Sequence, residues 1–131
     1  QKVRSRFPVE DIDTIVPVPL HQEKLSVRGF NQAELIAREL GKHIRKPVLH
    51  NLLVKNADTP AQTHLSQRAR EANLAGAFTV NSRSGIKGSR VLLVDDIFTT
   101  GSTASECTKT LLEAGAKKVY VATVATGIYY L

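Results

Sequence analysis

Two adjacent carboxylates, Asp95 and Asp96, follow directly on the apolar run Val91-Leu92-Leu93-Val94, and the loop-forming sequence Thr99-Thr100-Gly101-Ser102-Thr103 comes next. A continuous apolar run bounded by charge reads as a strand buried on both faces, as in a parallel sheet. The acids then fall at the carboxyl end of that strand, where open α/β sheets bind ligands. The Thr/Gly/Ser stretch opens the helix that follows. Backbone N–H groups and the dipole at a helix start favour phosphate, Gly101 lets the backbone approach closely, and the hydroxyls add donors. Paired acids accept hydrogen bonds from vicinal sugar hydroxyls or hold a divalent cation through its waters. A diol at one end and a phosphate at the other describe ribose 5-phosphate. Other phosphate motifs fit worse. A Walker-type loop needs Lys where Gly101 stands, and no G-x-G-x-x-G run is present. A receiver-type acidic pair would come early in the chain and lack the threonine-rich loop.

The elements that must hold these residues follow from pattern. Asp11–Val18 reads as a strand, and Pro17 and Pro19 require it to stop or to lie at a sheet edge. A polar loop runs from Leu20 to about Val27. Phe30, Ala33, Ile36, Ala37, Leu40 and Ile44 recur at helical spacing, with Arg45 and Lys46 suited to the helix end and Pro47 stopping it. Val48–Val54 reads as a second strand and Lys55–Leu65 as an aperiodic loop. Ser66 is placed to cap a short helix over Gln67–Asn73. Ala77–Val80 reads as a strand and Asn81–Ser89 as a surface turn. Ala104, Cys107, Thr108, Leu111 and Leu112 give a helix face, Gly115 suits its C-terminal cap, and Val119–Ala125 is a last strand. Strands alternating with helices predict an α/β domain with a mostly parallel sheet flanked by helices.

At 131 residues with 42% apolar content, the chain predicts one globular domain spanning residues 1–131. The net charge is +6, and only Lys109, Lys117 and Lys118 of the 18 basic residues follow residue 90. That balance suits anionic partners. A single cysteine, Cys107, excludes an internal disulfide framework and a zinc site on paired cysteines. No apolar run approaches the ~20 residues of a membrane span, and no signal-peptide pattern opens the chain, so no membrane insertion and a cytoplasmic setting are expected. The chain opens on Gln1 and contains no Met, and is expected to be a fragment of a longer protein. Cys107 is expected in the core. His43, His50 and His64 read as structural or solvated, and His21 as the histidine nearest the chemistry.

The Asp95–Thr103 segment resembles the phosphoribosyl pyrophosphate signature of type I phosphoribosyltransferases. More narrowly, three segments together resemble the ComF family of competence proteins. They are Val16-Pro17-Val18-Pro19-Leu20-His21 leading to Arg28-Gly29-Phe30-Asn31-Gln32, then Thr59-Pro60-Ala61-Gln62 with Leu65-Ser66 through Asn73, then Asp95–Thr103. The resemblance implies a type I phosphoribosyltransferase-like fold, here without a substantial hood. It implies that Asp95 and Asp96 contact the ribose hydroxyls and that Thr99, Thr100, Gly101, Ser102 and Thr103 hold the 5-phosphate. Pro19, Leu20 and His21 would hold pyrophosphate with Lys24 and Arg28. Mg²⁺ would be carried by substrate oxygens rather than by direct protein ligands. Lys55–Gly76 would be a mobile covering loop bearing Gln62, Arg68 and Arg70. No acceptor and no catalytic residue are assigned. ComF relatives commonly carry an upstream cysteine-rich zinc module, whose cysteines this chain lacks. The family further implies a role in natural competence, with incoming single-stranded DNA and other DNA-uptake proteins as partners. Two alternatives stay open: a metabolic phosphoribosyltransferase acting on a base or amine, and a non-catalytic phosphoribosyl pyrophosphate sensor.

Overall fold

A computed structural model describes residues 8–20, 29, 31–56, 76–81, 85–95, 102–123 and 128–129. After a 3-10 turn at Val9–Asp11 come β1 (Thr14–Pro17), α1 (Gln32–Ile44), β2 (Leu53–Lys55), β3 (Phe78–Val80), β4 (Arg90–Asp95), α2 (Ser102–Glu113), β5 (Lys118–Thr123) and β6 (Ile128–Tyr129). The main sheet has the order β1-β4-β5-β6. β4 pairs in parallel with β1 and β5, and β6 pairs antiparallel with β5.

β4 is central and fully covered, as its unbroken apolar run requires. Val91 and Leu93 pack with Ala104, Cys107 and Leu111 of α2, while Leu92 and Val94 pack with Ala37, Ile36, Leu40 and Ile44 of α1. One helix therefore covers each face, as expected of a mostly parallel α/β sheet.

Pro17 fits the edge position predicted for it. The Ile15 N–H donates outward to the Pro47 carbonyl at 2.9 Å, and Val18 N–H donates inward to Val94 at 2.8 Å. Pro17, two residues beyond Ile15, directs its nitrogen outward, so it removes no donor from the β1–β4 ladder.

Four segments depart from the sequence reading. The strand read from Asp11 begins only at Thr14, because Asp11 closes the 3-10 turn. Val48–Val54 is not one strand: Val48 makes a single parallel bridge to Ile15, and β2 begins only at Leu53. Asn51 lies between them at φ 64°, a left-handed conformation that no strand continues through. β2 then pairs antiparallel with β3 in a separate two-stranded sheet. Lys55, expected to open a loop, belongs to that ladder opposite Phe78. Asn56 extends the pairing, its N–H donating to Ala77 at 2.7 Å. Ile128–Tyr129, beyond the strand read as the last, forms β6. The short helix expected at Gln67–Asn73 lies outside the described residues.

The helix ends follow local chemistry. α1 starts two residues later than its first apolar residue, Phe30, because Asn31 caps it, accepting from Ala33 N–H at 3.0 Å. It ends on Arg45 in the left-handed region at φ 59°. α2 closes with Ala116 N–H on the Leu111 carbonyl at 3.1 Å, and Gly115 supplies φ +111° as the cap requires.

The amino ends of the strands are tied by a polar bracket. The Arg90 guanidinium donates to Asp11 at 2.6 Å and to Asp13 at 3.2 Å, and the Tyr120 hydroxyl donates to Asp11. The Tyr120 hydrogen bond chiefly holds Asp11 below the usual carboxylate range, with Arg90 assisting. The Arg90 backbone N–H does so for Asp13, with its guanidinium next. A folded-state carboxyl pKa below the unfolded one, about 4, stabilises above that value and loses its contribution as pH falls through the folded pKa. The melting temperature is therefore expected to fall in that acid window, and to fall less steeply in Arg90→Gln. Thermal melts at stepped pH check this, and equal slopes for both proteins would dismiss the Arg90 guanidinium as a contributor, leaving the Tyr120 hydroxyl and the Arg90 backbone N–H as the cause.

Candidate ribose-phosphate site

The carboxyl edge of the main sheet gathers the candidate residues that the structure describes. Asp95 is the last residue of β4. By strand alternation it shares the α2 face with Val91 and Leu93. It lies close enough to Cys107 that its charge, after burial itself, raises the thiol pKa well above its ordinary value. Cys107 is fully buried and belongs to the core, as expected.

α2 returns its carboxyl end to the amino edge, where Gly88 N–H meets the Gly115 carbonyl at 2.8 Å and Lys117 N–H the Ser89 carbonyl at 2.7 Å. Its amino end, Ser102–Thr103, therefore points to the same edge as Asp95. This disposition puts helix-start N–H groups at the same edge as a carboxylate, an arrangement suited to a ligand that is anionic at one end and hydroxylated at the other. Thr103 is partly exposed there.

Pro19 and Leu20 reach this edge through pairing rather than sequence. Pro17 sits opposite Val94, so Val18, Pro19 and Leu20 leave the sheet beside Asp95. Asn31 fixes that exit, its amide donating to the Val18 carbonyl at 3.1 Å while its oxygen caps α1. No positioning role was read for Asn31 from sequence, although an Asn just before an apolar helical period is a capping signal. Thr123 was also missed. It lies opposite Asp95 in the β4–β5 register and is buried.

Asp96, Thr99, Thr100, Gly101, His21, Lys24, Arg28, Gln62, Arg68 and Arg70 lie outside the described residues, as does the Ser102 side chain. The ends of the expected covering loop are described: Asn56 donates to the Gly76 carbonyl at 3.4 Å, closing the β2–β3 hairpin.

On the α1 face, the edge borders a cleft of about 530 Å³ lined by Leu35, Ile36, Leu40, Val94, Ala122 and Thr123, with Glu39 and His43 beside them. Its largely aliphatic wall suits an apolar or aromatic group rather than a phosphate. Among the described residues no cluster of three or more His, Cys, Asp or Glu could hold a metal ion, and no helix is long and apolar enough to cross a membrane.

The phosphoribosyl transferase domain family matches residues 25–129, a span from the approach to α1 through β6. The chain belongs to this family. The phosphoribosyl transferase assignment agrees with solved folds: the glutamine phosphoribosylpyrophosphate amidotransferase of B. subtilis superposes with a TM-score of 0.61 at 24% identity, covering 93% of this chain and 24% of that one. Its curated relatives carry competence and DNA-utilization names, as the ComF resemblance implied. Competence protein F of Haemophilus influenzae is 37% identical over 110 residues, 83% of this chain and 48% of that protein. DNA utilization protein YhgH of Escherichia coli K12 is 37% identical over 109 residues, 83% of this chain and 47% of that protein. The chain thus spans about half the length of these relatives.

Proposed function

We propose that this chain is a single phosphoribosyltransferase-fold domain of the ComF kind that binds phosphoribosyl pyrophosphate and serves natural competence, in the handling of incoming single-stranded DNA in the cytoplasm. The observation that carries the reading is the shared edge of Asp95 and the amino end of α2. The chain connecting them supplies Asp96 and the Thr99–Gly101 donors. In this reading Asp95 and Asp96 take the ribose hydroxyls, Thr99–Thr103 the 5-phosphate, and Pro19, Leu20, His21, Lys24 and Arg28 the pyrophosphate. Gln62, Arg68 and Arg70 cover the site. Mg²⁺ would be carried by substrate oxygens and would neutralise pyrophosphate charge when bound; Asp95, a hard oxygen acceptor at the same edge, fits such an ion through its waters. Mg²⁺ keeps several waters and binds phosphate oxygens readily, so it needs no protein cage.

Calorimetry with phosphoribosyl pyrophosphate and Mg²⁺ tests the first step. Saturable one-to-one binding is expected, and no heat up to millimolar ligand would overturn it. A pyrophosphate-release screen over nucleotide precursors then separates a transferase from a sensor. The apolar cleft beside Val94 favours the transferase as second reading, because it offers a place for an acceptor base or amine. Release that depends on one acceptor would establish it, and silence across the panel would leave a binding protein.

A further inference from the structure

The opposite edge of the sheet has a different character. α1 ends there with Lys42, Arg45 and Lys46. The segment after it runs beside β1, with Thr14 Oγ1 donating to the Pro47 carbonyl at 3.1 Å. Lys46 lies near enough to Asp13 to help lower its pKa. Next along the edge is Arg90 on β4, directly opposite Lys118 on β5. Lys117 follows through its backbone bond to Ser89, and Lys87 packs its stem against Gly115. These groups cross four neighbouring chain segments, a span of about 14 Å at sheet spacing.

The acids at this edge offset the row only in part, Lys46 and Lys118 also feeling Asp13 and Asp11. Asp11 and Asp13 are both engaged by Arg90. Lys42 pairs with Glu39 along the helix, at 3.5 Å. Glu10 and Glu113 are exposed at the margins. Arg45, Lys46, Lys87 and Lys117 make no ion pair among the described residues. Lys42, Arg45, Lys46, Lys87, Arg90, Lys117 and Lys118 still outnumber Glu10, Asp11, Asp13, Glu39 and Glu113, and that surplus of cations creates a local potential that a polyanion relieves.

We infer that this amino-terminal edge is a second anion-binding surface, a track for the phosphate backbone of single-stranded DNA. The inference rests on the DNA-handling reading above and adds where the strand lies. The edge carries one narrow row of charge, which suits one backbone rather than the two of a duplex. Tyr120, the aromatic residue described there, is buried and engaged with Asp11, so it offers no stacking platform. Recognition is therefore by phosphates, tolerant of sequence and strongly dependent on salt. The length of β4, roughly 17 Å, separates this track from Asp95, so both anions bind at once.

The test uses a fluorescein-labelled oligo-dT strand at low salt, with anisotropy as readout. Lys46→Glu/Lys87→Glu/Lys117→Glu is expected to lose at least tenfold in affinity. The slope of log affinity against log salt should flatten by about 2, near 0.7 for each lost phosphate contact. Calorimetry with phosphoribosyl pyrophosphate should be unchanged. The corresponding triple Gln variant, which introduces no new charge, should show a smaller loss in the same direction and guards against misfolding of the first. If the wild-type chain binds and both variants bind equally well, the track is wrong while the DNA reading survives. If the wild-type chain does not bind at all, that reading falls with it. Tighter binding of a duplex of equal length, or displacement of the strand by saturating phosphoribosyl pyrophosphate, would also overturn the assignment.

Discussion

Asp95→Asn combined with Asp96→Asn is expected to weaken phosphoribosyl pyrophosphate binding by roughly 30- to 140-fold while the domain stays folded. The amide keeps the size of the carboxylate and one acceptor oxygen but loses the charge. Hydrogen bonds to a charged acceptor contribute about 1–1.5 kcal/mol more than those to a neutral one. Two such losses come to about 2–3 kcal/mol, and every 1.4 kcal/mol is tenfold in affinity. The fold is expected to tolerate the change at Asp95, because it ends β4 and is only partly buried, whereas the interior of that strand is closed on both faces. The measurement is paired: calorimetry for the ligand and a thermal melt for the fold. Undiminished binding in a folded double variant would remove the ribose from these acids. Lost binding with a collapsed melting temperature would assign them a structural role instead.

What could be read in advance depended on whether the determining interactions were local. Val91–Val94 announces a central strand by itself, since four consecutive apolar residues have no solvent-facing member. That places Asp95 at a carboxyl edge before any partner strand is known. α1 and α2 were legible for the same reason: their apolar stripes, the Pro47 stop and the Gly115 cap are written within a few turns, although the Asn31 cap of α1 was not read. The neighbours of Asp95 were not. Pro19 and Leu20 arrive beside it through the pairing of Pro17 with Val94, and Thr123 through the pairing of β5 with β4. Neither register leaves a trace in local periodicity. Val48–Val54 misled for a related reason. Its composition suits a strand, but a left-handed Asn51 divides it and sends its second half to β3, whose residues lie more than twenty positions away. The Asp11–Arg90–Tyr120 bracket spans still larger separations and was invisible as a charge pattern.

Gly41→Ala should destabilise the domain by about 1–2 kcal/mol, although alanine is the better helix former. Two effects oppose each other. In an exposed helix interior, replacing Gly by Ala stabilises by about 1 kcal/mol. Gly41, however, is the point at which α1 touches the edge of the sheet. A β-carbon there would stand 2.6 Å from Val48 Cγ2, 3.0 Å from the Lys46 carbonyl oxygen and 3.7 Å from Ile15 Cδ1. The first contact is far inside van der Waals distance, and Val48 is short and stiff about χ1, so it has little room to yield. The second contact is with backbone. Overpacking a closed interior costs about 1–3 kcal/mol, which exceeds the propensity gain. Denaturant unfolding would register the loss as a lower midpoint with an unchanged slope. Val48→Ala added to Gly41→Ala removes the offending methyl and should recover part of the loss, giving a favourable coupling between the two positions. A single variant more stable than the parent would show instead that Val48 and the Lys46 backbone shift freely. The close seating of α1 on Val48, which carries the Ile15 bridge alongside β1, would then not be needed to hold the start of the path from β1 to the Asp95 edge.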